Sequence, residues 1–196
     1  MHLVDRDTVR GQDVWRSTLT ISGRKLGLSV HDTSTSWFDS TTLTPLRFTQ
    51  RIHEPKHSAD RAFEIFPDRQ TFQPRQSPEL PSVPNALDDV SFLYFARTLP
   101  LDVGQCYQLH RYFRPEGNPV VIRVERRERI VVPAGTFNAI VVRPEITTSG
   151  IFSKNGRAEM WFSDDSSHTL LQLKSKMSFG SINLYLSKVE RARPSS

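Results

Sequence analysis

The stretch VVIRVERRERIVV at residues 120–132 decides the fold, because most of its apolar residues recur at every second position. Its even positions are mostly apolar, whereas the odd positions include Arg123, Arg127 and Arg129. Successive side chains of a β-strand point to opposite faces of a sheet. The stretch therefore predicts a strand with one mostly apolar face and one basic face.

The segments that follow continue this pattern as a series of hairpins. VPAGTF at 132–137 predicts a tight turn at Ala134–Gly135, and TFNAIVVRPE at 136–145 predicts the returning strand. Asn155–Gly156 is a strong two-residue hairpin signal. LLQLKSKMSF at 170–179 alternates again and places Lys174 and Lys176 on the face opposite Leu171 and Leu173. Hairpins in series predict an antiparallel meander.

One helix is predicted at about residues 86–98. Asn85 is a suitable N-cap, and Pro100 ends the helix. Its centre, which contains Leu93, Tyr94 and Phe95, is apolar on nearly all sides, so we expect burial on more than one face. The predicted fold is mainly β, with a curved antiparallel sheet or barrel packed against this helix.

The length of 196 residues is sufficient for one domain with a substantial core. FQPRQSPELPSVPNA at 72–86 contains four prolines and predicts an extended connection. Neither side of this connection looks complete alone, so we expect a single β-rich domain over residues 1–196 with a Pro-rich loop at 72–86.

The net charge of +5 comes mostly from arginine, with 20 Arg against 6 Lys. A basic surface attracts phosphates of lipids or nucleic acids, or an acidic protein partner. RVERRER at 123–129 lacks the interleaved aromatic side chains that single-strand binders use for stacking. We therefore expect no nucleic acid partner.

The string HEPKH at residues 53–57 matches the H-E-x-x-H pattern of zinc proteases. That pattern needs a helix, on which positions i and i+4 share a face. Pro55 in its middle disfavours a helix interior by about 3 kcal/mol. We expect two strands joined by a polar turn here, and no metal site. Because glycine-rich phosphate loops and activated nucleophile motifs are also lacking in the sequence, we expect no cofactor and no enzymatic activity.

Three segments in this order and spacing carry a family resemblance: DDVSFLYFARTLPLDVGQCY at 88–107, VPAGTFNAIVVRPE at 132–145 and GIFSKNGRAEMWFSDD at 150–165. Together they resemble the bacterial domain-of-unknown-function family numbered 3108, over about residues 36–190. The resemblance implies an exported envelope protein with a curved sheet or barrel similar to envelope lipoprotein carriers. It implies no catalytic residues.

Two functions follow as hypotheses. The first is a non-catalytic, membrane-extrinsic interaction or scaffold subunit that docks on a membrane protein complex or an anionic membrane surface. Its contacts are predicted to be the basic rows, Arg123, Arg127, Arg129, Lys174 and Lys176. The alternative is an envelope carrier or sensor that holds a lipid-like ligand inside the curved sheet, next to Leu93, Tyr94 and Phe95. We expect a peripheral membrane location, on the cytoplasmic side if Met1 is the true start and in the periplasm if a leader precedes it.

Overall fold

The computed structural model describes residues 2–25, 28–54, 57–147, 152, 157–177 and 180–188. The chain divides into two compact units. The first contains residues 1–96 and 109–119, and the second contains residues 97–108 and 120–196. The protein is mainly β, as predicted, with two antiparallel sheets and one α-helix among the described residues. The single domain over residues 1–196 stays a prediction.

The first sheet is an antiparallel meander whose seven strands are adjacent in chain order. The strands are β1 (His2–Val9), β2 (Gln12–Lys25), β3 (Leu28–Phe38), β4 (Pro45–Glu54), β5 (His57–Phe66), β6 (Thr71–Pro74) and β7 (Leu80–Pro81). The Pro-rich segment at 72–86 thus supplies most of β6 and all of β7, at the edge of the sheet. Proline is tolerated at an edge because the missing N–H leaves no interior ladder bond unmade.

Four phenylalanine rings form the aromatic core of the first unit. The ring centroid of Phe113 lies 5.9 Å from that of Phe48, 5.2 Å from Phe63 and 5.4 Å from Phe72, in edge-to-face arrangements. Phe113 is fully buried, although it comes from the segment 109–119, far along the chain from strands β4 to β6. Such pairs add about 0.5–1.5 kcal/mol each beyond the area that they bury.

Helix α1 (Ser91–Ala96) is shorter than the predicted helix at 86–98. Asn85 is not its cap, because Leu87 still lies in extended chain and forms a parallel β-bridge with Tyr112. Asp88 provides the cap: its Oδ1 accepts hydrogen bonds from the backbone N–H groups of Val90 (2.9 Å) and Ser91 (2.8 Å). The predicted burial on several faces is confirmed, since five of the six helical residues are buried.

The second sheet has six strands, which are also adjacent in chain order. They are β8 (Cys106–Leu109), β9 (Val120–Val132), β10 (Gly135–Glu145), β11 (Glu159–Ser163), β12 (Leu170–Met177) and β13 (Gly180–Tyr185). The predicted strand at 120–132 is confirmed over its full length. The turn before β10 lies one residue earlier than predicted: Gly135 pairs with Val132, so Pro133 and Ala134 form the turn. Asn155–Gly156 lies outside the described residues.

A β-bulge in β9 changes which side chains share a face. Val124 pairs with Val142 and Arg126 pairs with Val141, so Glu125 is an extra residue in the ladder. An extra residue shifts the following side chains to the other face of the sheet. The prediction that the even positions of 120–132 form one mostly apolar face is therefore wrong after Val124.

Candidate functional site: a basic face on the second sheet

One face of the second sheet is organised around Trp161 of β11. Trp161 pairs with Val141 on one neighbouring strand and with Gln172 on the other. Residues that pair directly across strands share a face. Trp161, Val141, Ala139 and Leu171 form a small apolar cluster here, and each is at most 2% exposed. We call this side of the second sheet the Trp161 face.

Charged side chains hold Trp161 at the centre of this face. The indole Nε1 donates a hydrogen bond of 2.5 Å to Oε1 of Glu128, and Arg126 forms ion pairs with Glu128 (3.0 Å) and Glu159 (3.1 Å). The bond from Trp161 and then the contact with Arg126 lower the pKa of Glu128. The Glu128 carboxylate is therefore charged near neutral pH and can accept both contacts.

The structure brings three of the five predicted contact residues to the Trp161 face. Lys174 lies directly opposite Glu159 on the neighbouring strand, and its Nζ lies 5.0 Å from the centroid of the Trp161 ring. Lys176 is two residues further along β12 and is exposed. Arg123 pairs with Arg143, which shares the face of Val141, and its Nη1 lies 3.3 Å from Sγ of Cys106. With strands about 4.8 Å apart, Lys174 and Arg123 are separated by about 14 Å across β12 to β9.

Arg123, Lys174 and Lys176 have no carboxylate within ion-pair distance in the part of the chain that is described. By contrast, the other two basic residues of the face are paired, since Arg126 binds Glu128 and Glu159 while Arg143 lies 3.5 Å from Glu125. The three unpaired cations are therefore the groups of this face that remain available to an anionic partner.

The other two predicted contact residues, Arg127 and Arg129, lie on the opposite face. Arg127 pairs across strands with Ile140, and Arg129 pairs with Asn138. The bulge at Glu125 causes this separation from Arg123. Arg127 also forms an ion pair of 3.1 Å with Asp164, whereas Arg129 is exposed and has no such partner among the described residues. The predicted single row of arginines along β9 is thus split between two faces.

Leu93 and Tyr94, predicted to line an apolar ligand cavity, are core residues of the first unit. Leu93 is 1% exposed, and the Tyr94 hydroxyl lies 2.8 Å from Oγ of Ser17. The Tyr94 ring packs 5.1 Å from Phe38. Phe95 is partly exposed, with the guanidinium of Arg111 4.4 Å above its ring. These contacts are those of a filled core around Tyr94.

The described residues on both sides of Pro55–Lys56 in the HEPKH segment are paired strands, not a helix. β4 ends at Glu54 and β5 begins at His57, with Glu54 and His57 paired. Pro55 and Lys56 lie outside the described residues. Within the described ranges, no group of three or more His, Cys, Asp or Glu side chains is arranged to hold a metal ion. No described helix is both long enough and apolar enough to span a membrane.

Sequence reasoning missed the residues that organise the Trp161 face. Arg126 and Glu128 occupy even positions of 120–132, whose other members are apolar, and strict alternation cannot reveal the bulge at Glu125. The available signal was the interruption of an apolar series by two charged residues at even positions, which is unfavourable unless the strand changes face.

Comparison with known proteins gave one finding. The model of the family described as Protein of unknown function (DUF3108) matches residues 2–187. No curated protein and no solved structure matches the chain.

Proposed function

Because the chain belongs to the family described as Protein of unknown function (DUF3108), whose description names no activity, we propose a function from the Trp161 face. The protein is a non-catalytic, membrane-extrinsic interaction subunit, and it docks on an anionic membrane surface. A membrane protein complex with an acidic surface is the alternative partner, and the experiment below separates the two.

The observation that supports this proposal is the placement of Arg123, Lys174 and Lys176 on one face, without carboxylate partners in the described chain. Lys174 has an exposed side chain whose Nζ lies over the indole of Trp161, which is itself fixed by Glu128. A lysine held in this way loses less conformational freedom when it contacts a phosphate.

The three cations supply an electrostatic part of the docking energy. A Lys or Arg near an anionic lipid surface contributes about 1 kcal/mol. Three such residues contribute about 3 kcal/mol, or roughly a hundredfold in the partition constant. The contribution acts within a Debye length of about 10 Å at 0.1 M salt, so docking should weaken as salt is added.

The test is sedimentation of the purified protein with vesicles of phosphatidylcholine, with and without phosphatidylglycerol. We expect binding only to the anionic vesicles, and release by salt. Lys174→Gln with Lys176→Gln should weaken binding by about 2 kcal/mol, or roughly thirtyfold. Arg129→Gln is the matched control, because Arg129 is exposed and unpaired but lies on the opposite face; this variant should bind like the wild type.

Equal binding to neutral and anionic vesicles, or an equal loss in the Arg129 variant, would overturn the proposal. Absence of vesicle binding combined with salt-sensitive recovery in a membrane protein complex would identify the alternative partner. Mass spectrometry of the isolated protein tests the carrier hypothesis in the same preparation: a lipid retained in stoichiometric amount would favour the carrier over docking.

A further inference from the structure

The outer face of the first sheet carries a regular grid of polar side chains. Arg16 pairs with Trp37, Thr18 with Thr35 and Thr20 with Thr33, between β2 and β3. The next strand continues these rows, since Trp37 pairs with Arg47, Thr35 with Thr49 and Thr33 with Arg51. All these side chains share one face. The other face of the same sheet carries Ser17, Ser36 and Phe38, which contact helix α1 or the residues that cap it.

A groove of about 470 Å³ lies on this grid. Its volume falls within the range of small-molecule sites, which is about 300–1,000 Å³. It is lined by Asp5, Arg16, Thr18, Thr33, Thr35, Trp37, Thr49 and Arg51. We call it the threonine groove.

The threonine groove offers both hydrogen-bond donors and acceptors. A threonine hydroxyl is one donor and two acceptors, and those of Thr18 and Thr35 lie 3.0 Å apart. At one end, Arg16 is held by Asp5 at 2.9 Å and Asp7 at 3.5 Å, so it presents a fixed guanidinium. A ligand that matches this lining must itself carry closely spaced groups that donate and accept. Sugar hydroxyls meet that requirement, whereas an acyl chain does not.

Arg51 gives the groove a positive charge that an anionic group on a ligand would match. It is exposed, and it has no ion pair or hydrogen-bond partner in the part of the chain that the structure describes. An Arg guanidinium binds carboxylate or phosphate through two parallel hydrogen bonds. Arg51 lies directly opposite Thr33 on β3 and Asp60 on β5, and the Asp60 carboxylate is itself 3.7 Å from Arg75. An anionic group bound at Arg51 on the β3 side has a threonine hydroxyl as its neighbour.

Trp37 forms another part of the groove wall, and its indole is held in place by its neighbours. Its Nε1 donates a hydrogen bond of 2.8 Å to Asp7, and the guanidinium of Arg47 lies 5.8 Å from its ring. Single-stranded nucleic acid is bound by several aromatic side chains that stack successive bases, and Trp37 is the one aromatic side chain among the described residues that line this groove. Nucleic acid is therefore a poor match. The partly exposed indole and the threonine methyl groups instead suit the C–H surface of a sugar ring.

We propose that the threonine groove binds a saccharide chain that carries an anionic group, with Arg51 contacting the anion and Thr18, Thr35 and Thr49 contacting sugar hydroxyls. This site lies in the first unit and is independent of the Trp161 face. The ligand class is an acidic oligosaccharide, whose charge comes from a carboxylate or a phosphate.

The probes are a short oligogalacturonate, which has one carboxylate on each sugar, and a neutral galactan oligomer of the same length. Titrations are followed by amide chemical-shift changes in two-dimensional NMR spectra and by calorimetry. We expect the oligogalacturonate to shift amides of β2, β3 and β4 around Thr18, Thr35 and Thr49. The neutral oligomer should bind about tenfold or more weakly, since a hydrogen bond to a charged group contributes about 1.5–3 kcal/mol.

Two variants separate the contributions. Arg51→Ala should remove the preference for the acidic oligomer, and Thr35→Val with Thr49→Val should weaken both oligomers. Valine retains the shape and β-propensity of threonine, so these variants should fold. Thr20→Val is the matched control, because Thr20 lies in the same grid but does not line the groove; its affinity should equal that of the wild type.

Three results would overturn the proposal. The first is equal affinity for the acidic and neutral oligomers together with no effect of Arg51→Ala. The second is no binding of either oligomer, or amide shifts confined to other strands. The third is that sodium phosphate alone binds as tightly as the oligogalacturonate, which would reduce the site to a simple anion site. Vesicle binding should be unchanged in the threonine variants, which keeps this test separate from that of the docking function.

Discussion

The hydroxyl of Ser36 donates a hydrogen bond of 2.5 Å to Oδ2 of Asp88, linking strand β3 to the residue that caps helix α1. The other carboxylate oxygen, Oδ1, accepts the backbone N–H groups of Val90 and Ser91. Ser91 in turn accepts the N–H of Asp88 at 3.0 Å, so the cap is reciprocal. Asp88 is fully buried, and this burial raises its pKa from 3.8 to about 7, although the Ser36 bond opposes the rise.

Because the pKa of the buried Asp88 is raised, we expect its contribution to the free energy of unfolding to fall as pH rises. Between about pH 4 and pH 7 the folded state keeps a proton that the unfolded state has lost. The contribution of Asp88 to the free energy of unfolding is therefore largest near pH 4 and decreases up to about pH 7, with a slope of at most about 1.4 kcal/mol per pH unit. Burial raises the pKa of the neighbouring Asp89 as well, which acts in the same direction.

Asp88→Asn should remove the Asp88 contribution to this slope while an amide oxygen keeps the cap. Denaturant unfolding at several pH values measures the change. Relative to the wild type, the variant should gain stability as pH rises from 4 to 7. Asp13→Asn is the control, because Asp13 is exposed in the same unit. A pH profile of the Asp88 variant that parallels the wild type would contradict the assignment.

Gly117→Ala should destabilise the first unit. A Cβ at Gly117 would lie 2.1 Å from Cδ1 of Tyr112, a contact that no side chain tolerates. Tyr112 cannot easily move, because its ring is buried and its hydroxyl donates to Asp89 at 3.2 Å. We expect a loss of about 1–3 kcal/mol in the free energy of unfolding. In a double-mutant cycle, Tyr112→Leu should relieve part of the loss; strictly additive effects would show that the ring is not the obstacle.

Phe113→Ala should cost about 3–5 kcal/mol, because it removes the ring that contacts Phe48, Phe63 and Phe72. Thermal or denaturant unfolding measures the loss. Phe113→Leu should cost much less, since it leaves a smaller cavity. Phe137→Ala, at a partly exposed position of the second sheet, is the control. Equal effects of Phe113→Ala and Phe137→Ala would mean that the segment 109–119 contributes little to the first core.

Glu159→Gln should strengthen vesicle binding, which is the opposite direction to the lysine variants. Glu159 lies on the Trp161 face, directly opposite Lys174 on the neighbouring strand, and it forms an ion pair with Arg126. Its neutralisation increases the positive charge of that face by one, which favours anionic lipid by about 1 kcal/mol. Glu116→Gln changes the same charge on the first unit and should have less effect. Unchanged or weaker binding of the Glu159 variant would indicate that the Trp161 face does not meet the membrane.

Strands could be predicted from sequence where apolar and polar residues alternate. The bounds of β9 follow directly from the alternation in 120–132. The face of Arg127 does not, because the bulge at Glu125 depends on how β9 pairs with Val141 and Val142. Likewise the α1 segment could be predicted from its apolar residues, but its start could not, since the bridge between Leu87 and Tyr112 joins residues distant in sequence.

The polar grid that carries the threonine groove was missed although its threonines are visible as Thr-x-Thr pairs at 18–20 and 33–35. Such pairs place hydroxyls on one face of each strand. Only the register between β2, β3 and β4 determines whether those hydroxyls meet in one grid, and register depends on turn lengths and bulges.

The order in which the chain passes through the two units limits which fragments of this protein can contain a whole unit. Residues 97–108 belong to the second unit and residues 109–119 return to the first, so the polypeptide passes between the units three times. A truncation after residue 119 would leave β8 without a sheet to join, and a fragment starting at residue 120 would lack β8. Neither unit can therefore be cloned, transplanted or lost by recombination as one uninterrupted gene segment.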